Sequence, residues 1–215
     1  DFSQLILSLS TRLMRNNGDS IDEIIRLALK RMGEFTGVDR CILLYLNPEN
    51  TEVHDIFEWH SPSVESHEKL LQNLSVEIFP WWDSHLQKLS PYYVPKVSDL
   101  SREAEFEQEV LHTQSIQSTV VLPLSSNQKL RGFLEFDSET SEINWTPENI
   151  TMMQVVVDLL AGAIERKRAR DNLRLSQAQN LALVSAMPDM IFRITREGIL
   201  QDFTIGDEQV LFVSD

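Results

Sequence analysis

Residues 118–137 read STVVLPLSSNQKLRGFLEFD and form the most strongly patterned stretch of the chain. Two apolar runs, Ser118–Leu124 and Leu130–Asp137, flank the polar tetrapeptide Ser125–Gln128. Apolar runs of this length, rich in β-branched and aromatic residues and separated by turn residues, predict a pair of β-strands. We therefore expect two adjacent antiparallel strands here.

Two further strands and two helices are predicted before this pair. Residues 40–46 are almost wholly apolar, as expected of a strand covered on both faces, and residues 51–60 alternate in polarity. Ser20–Glu23 has the spacing of a capping box, which predicts the start of a helix that Gly37 ends. Apolar residues at helical spacing predict an earlier helix over residues 1–15.

Residues 61–117 are less regular, and a long helix follows the strand pair. The elements predicted within the irregular part are a helix over about 80–89, a strand over 92–94 and a helix over about 103–113. Thr146 is a predicted N-cap with Pro147 at the first helical position, and the helix should continue to about Met187. At 1.5 Å per residue this helix would be roughly 60 Å long. The order of elements predicts an α+β domain built on an antiparallel sheet.

The net charge limits the possible binding partners, and the cysteine content indicates the cellular compartment. The chain has 215 residues and a formal net charge of −14. Phosphate backbones repel such an acidic protein, so nucleic acid is not expected as a partner. No stretch approaches the ~18 uninterrupted apolar residues that a membrane span requires. Cys41 is the only cysteine, which excludes an internal disulfide and favours a cytoplasmic location.

The C-terminal part has the pattern of a hairpin. Two apolar segments, 190–195 and 199–203, flank the turn Arg196–Gly198. Fewer than ~40 residues rarely bury a core of their own. We therefore expect residues 188–215 to be the start of a second domain.

Several stretches, taken in order, resemble a GAF domain of the subtype common in multidomain sensors of cyanobacteria and other bacteria. The matching segments are IDEIIRLALKRMGEFTGVDR at 21–40, FEW at 57–59, FPWW at 79–82, IQSTVVLPL at 116–124, LRGFLEFDS at 130–138 and WTPENITMMQVVVDLLAGAIERKR at 145–168. The resemblance implies a GAF-type antiparallel sheet flanked by helices, with a long C-terminal signalling helix.

The domain boundaries follow from this resemblance. Residues 1–168 would form the GAF domain, including the helix at 1–15, and residues 169–187 a helical linker. Residues 183–203 resemble the entry helix and first hairpin of a PAS domain, so residues 188–215 would be its truncated start. In proteins of this kind, GAF and PAS domains typically precede a histidine kinase, a diguanylate cyclase or a similar output domain.

The known chemistries of GAF domains leave no identified cofactor here. Bilin-binding members attach the chromophore through a cysteine ahead of the strand at 116–124, but this region reads EVLH at 109–112. Covalent bilin is therefore not expected. Cyclic-nucleotide-binding members carry an acidic pair where this chain has Asn149 and Ile150. Members that reduce methionine sulfoxide need several cysteines.

Metal ligation and nucleophilic catalysis are not expected either. His54 and His60 are six residues apart on one predicted strand, about 20 Å at 3.3 Å per residue, so they cannot share an ion. The other histidines fall in separate regions. The chain has no Gly-x-Ser-x-Gly elbow and no phosphate-binding loop. We therefore expect no enzymatic activity in this fragment.

Aromatic residues predict a small-molecule pocket between the sheet and residues 61–111. Loops laid over a rigid sheet are where binding residues concentrate. The residues expected to form the site are Trp59, Trp81 and Trp82 as stacking surfaces, His60, His85 and Glu135 as polar groups, and Phe133, which shares a strand face with Glu135. The acidic composition favours a neutral or cationic ligand over a nucleotide. In the alternative interpretation, these aromatics only fill the core.

The predicted function is that of a sensory input module. It would sense a small molecule and signal through the long helix, paired with that of a second copy of the chain. One alternative is a GAF domain without a ligand that serves as a dimerisation scaffold. Another is a GAF-fold enzyme acting on a small substrate, which would need Cys41 or an acid–base pair in the pocket.

Overall fold

The computed structural model describes residues 2–15, 20–47, 49, 52–72, 74–75, 78–186 and 190–205. Residue 187 of the predicted linker and residues 188–189 and 206–215 of the expected C-terminal domain lie outside the described residues.

The described elements follow the predicted order. The helices are α1 (Phe2–Arg15), α2 (Ile21–Thr36), α3 (Glu68–Leu71), α4 (Pro80–Leu86), α5 (Glu105–Thr113) and α6 (Pro147–Ala186). The strands are β1 (Arg40–Leu46), β2 (Val53–His60), β3 (Tyr92–Val94), β4 (Ser118–Ser126), β5 (Lys129–Ser138), β6 (Met190–Ile194) and β7 (Leu200–Ile205). Short 3₁₀ helices at Val97–Asp99 and Arg102–Ala104 connect β3 to α5.

Five strands form an antiparallel sheet in the order β2-β1-β5-β4-β3. One face carries α1, α2 and the first part of α6, whose apolar side chains form the main core with alternate residues of the strands. The other face is covered by the irregular segment between β2 and β4. Because β1 is covered on both faces, all of its residues are buried, as predicted. The predicted α+β class and GAF-type architecture are therefore confirmed.

Local signals set the helix boundaries. The Ser20 hydroxyl accepts a hydrogen bond from the Glu23 N–H, and the Glu23 carboxylate accepts one from the Ser20 N–H. Gly37 ends α2 with a left-handed backbone at φ 75°. Thr146 Oγ1 accepts a hydrogen bond from the Asn149 N–H at 3.2 Å, which makes Thr146 the predicted N-cap of α6.

The turn between β4 and β5 is tighter than the sequence predicts. Ser125 pairs with Leu130 and Ser126 with Lys129, so both serines belong to the strand and not to the turn. Asn127 and Gln128 alone form the turn, with φ of 52° and 60°. When both residues of a two-residue loop have a positive φ, the turn has the same twist as the flanking strands. The strand pairing therefore continues up to the turn.

Two predicted helices in the irregular segment are shorter than expected. The helix beginning at Pro80 ends at Leu86, and Leu89, the predicted last residue, has a positive φ of 52°. A left-handed residue cannot continue an α-helix. The region predicted to start a helix near Glu103 is a 3₁₀ turn that precedes α5.

The chain divides into two compact units, Asp1–Glu165 and Arg166–Asp215. The first unit contains the five-stranded sheet. In the second, the side chains of α6 are exposed throughout residues 169–183, and β6 and β7 form the predicted hairpin. No described helix has the length and apolarity that crossing a bilayer requires.

Candidate ligand pocket

A cavity of about 240 Å³ lies between the sheet and the segment that covers its outer face. Leu44, Phe133 and Glu135 form its floor. The other lining residues, almost all apolar, are Val53, Leu70, Leu71, Leu74, Ile78, Phe79, Trp82, Asp83, Leu86, Phe106, Val110, Leu111, Gln114 and Ile116. An apolar cavity with a few polar groups is the usual form of a small-molecule site.

Side chains along β5 alternate between the two faces of the sheet, and this alternation determines which residues form the floor of the cavity. Phe133 and Glu135 face the cavity, because the even-numbered residues between Phe133 and Asp137 point into the helical core. Glu135 lies opposite Ile42 on β1 and Val121 on β4, both of which are apolar. Glu135 Oε1 has no hydrogen-bond partner, although the residue is only 6% exposed.

Burial dominates the electrostatics of Glu135. Loss of hydration raises the pKa of its carboxyl group well above the usual value, Asp137 raises it further, and Arg40 opposes both effects. Burial therefore favours the neutral form of this carboxyl group over the carboxylate. In that form it can donate a hydrogen bond, and beside a cation it can ionise.

The roof of the cavity is held by Glu107 of α5. Its Oε1 accepts hydrogen bonds from the N–H groups of Trp81 at 2.9 Å and Trp82 at 3.4 Å. Glu107 thus caps α4, whose own N-cap residue, Phe79, has no side-chain acceptor. The sequence analysis did not identify Glu107. The missing acceptor before Pro80 was the only signal that a distant residue would be needed.

Arg40 organises the loop between β2 and α3. Its side chain is fully buried, and Nε donates a hydrogen bond to Glu58 Oε1 at 2.9 Å. Nη2 donates a hydrogen bond to the Glu65 carbonyl oxygen at 2.6 Å. The same Nη2 lies 2.7 Å from Glu139 Oε1. Glu58 also accepts a hydrogen bond from the His67 N–H at 2.9 Å. The sequence analysis did not identify this cluster, because its members are distant in sequence and no local pattern links them.

The structure brings three of the predicted site residues to the cavity: Trp82, Phe133 and Glu135 line it. Trp81 and His85 form an aromatic group with Tyr92 beside α4, with ring centroids 4.5 to 5.0 Å apart. His85 Nδ1 lies 2.8 Å from the Trp81 carbonyl oxygen. Trp81 and His85 therefore belong to the structure of the roof and not to the cavity lining.

Trp59 and His60 also lie away from the cavity lining. The Trp59 ring packs against Gly33 of α2, so it faces the helical core on the other side of the sheet. His60 lies opposite Arg40 at the end of β2, and its Nδ1 is 3.0 Å from the Ser61 carbonyl oxygen. We leave both residues out of the site proposed below.

Cys41 faces the helical core as well. Its thiol is fully buried, and burial together with Asp137 raises its pKa well above the usual value. A thiol in this environment stays protonated, which disfavours nucleophilic attack. Within the part of the chain that the structure describes, no group of three or more histidine, cysteine, aspartate or glutamate residues is arranged to hold a metal ion.

Helices on one face of an antiparallel sheet and a roofed cavity on the other define this protein as an α+β domain. Residues 20–164 match the GAF domain family, and the chain belongs to that family. The predicted resemblance to a GAF domain is therefore confirmed for this region.

A curated relative of the chain is a histidine kinase. The chain is 29% identical over 157 residues to the methanogenesis regulatory histidine kinase FilI of Methanothrix harundinacea (strain 6Ac), and the match covers 71% of this chain and 17% of the kinase. The chain thus spans about one sixth of the length of this curated relative.

Two solved structures establish the same fold. The phycocyanobilin-bound GAF domain of a cyanobacterial phytochrome matches with a TM-score of 0.64 and 18% identity, over 79% of this chain and 97% of that domain. A domain of a protein described as a two-component sensor histidine kinase from Sinorhizobium meliloti 1021 matches with a TM-score of 0.54 and 20% identity, over 73% of this chain and 98% of that domain.

Proposed function

We propose that residues 1–168 form a sensor domain that binds a small molecule in the cavity between the sheet and α4 and α5. The observation that carries this proposal is the cavity itself, which is apolar, about 240 Å³ in volume and lined by one buried carboxyl group whose Oε1 has no hydrogen-bond partner. A pure dimerisation scaffold has no need of such a space. An empty apolar cavity costs stability in proportion to its volume.

The roof supports a role in sensing. It consists of short helices joined by irregular segments, and Glu107 alone provides the side-chain cap of α4. Loops and short elements over a rigid sheet are the parts of a domain that adjust to a ligand. The phytochrome relative binds a bilin, but here Cys41 is the only cysteine and faces away from the cavity. We propose a ligand held without a covalent bond.

A route from the cavity to α6 runs through β5. Glu135 contacts the cavity, and the next residue, Phe136, packs on the other side of the sheet against Trp145, with ring centroids 6.2 Å apart. Trp145 lies two residues before α6 begins at Pro147. A shift of β5 on ligand binding would therefore move the residues that position the start of the long helix.

The output of this route would be a paired helix. We propose that α6 of two chains associate in parallel and pass the signal to an output domain, such as a histidine kinase or a diguanylate cyclase. In this proposal, residues 169–187 are the linker and residues 188–215 begin a PAS domain, of which the β6–β7 hairpin is the first part. The single cysteine supports a cytoplasmic location.

Native mass spectrometry of the protein as purified tests ligand binding directly. We expect a bound small molecule in the parent protein and its loss in Val110→Trp, because the larger side chain would fill space that Val110 leaves in the cavity. Val155→Trp, which adds the same group on an exposed turn of α6, is the matched control. A parent protein with no bound mass, and no saturation-transfer NMR signal from a small aromatic probe, would contradict the proposal.

A further inference from the structure

Glu135 is the one carboxyl group on the floor of the cavity. Its Oε1 is buried without a hydrogen-bond partner, and its neighbours across both strands, Ile42 and Val121, offer none. Native proteins leave few buried polar atoms unsatisfied. Because Glu135 lines the cavity and one of its carboxyl oxygens lacks a protein partner, the site indicates a ligand with a polar group beside this residue.

The surrounding charges favour a cationic group. Arg40 is the basic side chain that acts on Glu135, and its Nε and Nη2 are paired with Glu58 and Glu139, whereas its Nη1 has no hydrogen-bond partner. Asp137 lies opposite Arg40 across β1 and β5, and its Oδ2 also has no hydrogen-bond partner. This corner of the domain holds more carboxyl groups than cations, so it attracts a positive ligand group and repels an anion.

The volume of the cavity limits the apolar part of the ligand. A dry apolar cavity of about 150 Å³ accommodates benzene. The cavity here, at about 240 Å³, therefore has room for an aromatic ring or an equivalent alkyl group with a short chain. Phe133 on the floor and Trp82 on the roof provide ring surfaces for that group.

We propose, on the basis of the sensor function above, that this cavity selects a small apolar primary amine whose ammonium group pairs with Glu135. The apolar body of the amine would lie between Phe133 and Trp82. An ion pair at this position satisfies Glu135 Oε1 and adds the positive charge that the cluster lacks.

Amine binding would be coupled to proton release. In the free protein, burial and Asp137 raise the pKa of the Glu135 carboxyl group and so favour its protonated form, while Arg40 opposes them. The ammonium ion favours the carboxylate, so Glu135 gives its proton to water as the ion pair forms, and the charge of the amine is unchanged. Because this step becomes easier as pH rises, the affinity for the amine should increase with pH. Asp83, on the roof, is the other acidic residue that lines the cavity.

Three probes of similar size test whether binding depends on the positive charge, on a neutral hydrogen-bonding group or on the apolar body alone: 2-phenylethylamine, 2-phenylethanol and ethylbenzene. Calorimetric titration at pH 7 should show the amine binding about tenfold or more tightly than the alcohol, the factor expected of one charge-assisted hydrogen bond. Glu135→Gln should abolish this preference and retain binding of the alcohol. Asp83→Asn, which removes the same charge from the roof, should keep the preference.

Calorimetry of the parent protein in two buffers with different ionisation enthalpies gives a measurement that needs no variant. Release of a proton on binding the amine, and none on binding the alcohol, is expected. Equal affinities for the three probes, or an amine preference that Asp83→Asn removes and Glu135→Gln does not, would overturn the role of Glu135 and leave the sensor proposal standing. Failure of all three probes to bind, together with the absence of a bound mass in native mass spectrometry, would overturn both proposals.

Discussion

At the scale of single residues, the contact between Trp59 and Gly33 shows how one side chain limits which residue can occupy another position. A Cβ atom added to Gly33 would lie 1.9 Å from Cζ3 of Trp59, so the indole ring occupies the space that any other residue at position 33 would need. Trp59 therefore joins β2 to α2 in the helical core. This contact explains why a tryptophan on β2 contributes to stability without lining the cavity.

Gly33→Ala should destabilise the domain by about 1–3 kcal/mol, because overpacking outweighs the gain of up to about 1 kcal/mol from the better helix former. Urea denaturation measures the effect. In a Trp59→Leu background the same substitution should be neutral or slightly stabilising, since the clash is gone. An equal loss in both backgrounds would show that the ring contact is not the cause.

The raised pKa of Asp137 predicts how the stability of the protein depends on pH. Burial is the main cause that raises its pKa from 3.8 to about 6, against a hydrogen bond from Thr119 and the charge of Arg40. Between these two values the folded protein keeps a proton that the unfolded chain has lost. This residue therefore lowers the free energy of unfolding as pH rises from about 4 to about 6, by about 2–3 kcal/mol.

Asp137→Asn should remove this dependence and make unfolding free energies at pH 5 and pH 7 more alike. Asp171→Asn on the exposed part of α6 is the matched control and should leave the parent's slope unchanged. The comparison stays above about pH 5, because Glu58 acts in the opposite direction in acid. Although burial opposes it, hydrogen bonds from His67 and Ser66 and the charge of Arg40 lower the pKa of Glu58. An Asp137→Asn slope equal to the parent's would contradict this assignment.

At the scale of secondary structure, the helices differ in where their caps come from. Helices α2 and α6 are capped by residues directly before them, Ser20 and Thr146. Helix α4 depends on Glu107, which is 26 residues from Trp81 in sequence and almost fully buried. The roof of the cavity is thus held by a tertiary contact.

Glu107→Ala should destabilise the protein by about 1–3 kcal/mol, the cost of leaving buried backbone N–H groups without an acceptor. Because the roof would loosen, binding of a cavity probe such as 2-phenylethanol should weaken as well. Thermal unfolding and the probe titration measure the two effects. Glu109→Ala, an exposed glutamate on the same helix, should change neither. If Glu107→Ala destabilises the protein but leaves probe binding unaltered, the cap of α4 does not determine the binding properties of the cavity.

At the scale of the whole molecule, the described side chains in the second half of α6 are exposed over residues 169–183. Leu173 and Leu181 are 58% and 69% exposed in the single chain. An isolated helix of this length gains most of its stability by burying apolar side chains against a partner. This exposure supports the proposed association of two chains through α6.

Replacing both Leu173 and Leu181 by glutamate should shift the protein from dimer to monomer, because charged side chains at the contact repel each other. Analytical ultracentrifugation at tens of micromolar measures the change. Asn172→Glu with Asn180→Glu adds the same charge one position earlier in each case and should leave the dimer intact. A strictly monomeric parent at this concentration would refute the dimer.

The amino-acid sequence by itself determined the class of the fold, the order of the elements and the bounds of α6 within one residue at its C-terminal end. These features depend on local signals, such as capping residues, polarity alternation and the absence of proline, which act over a few residues. The sequence also indicated that Phe133 and Glu135 share a face, because side chains alternate along a strand.

Only the tertiary structure decided which face of the sheet receives the helices and which the cavity. Alternation places Trp59 and His60 on opposite sides of β2 but does not say what covers either side. The roles of Arg40 and Glu107 were equally hidden, because their partners come from distant parts of the chain. Buried polar groups find acceptors and counter-ions wherever the fold brings them, and no local pattern records that pairing.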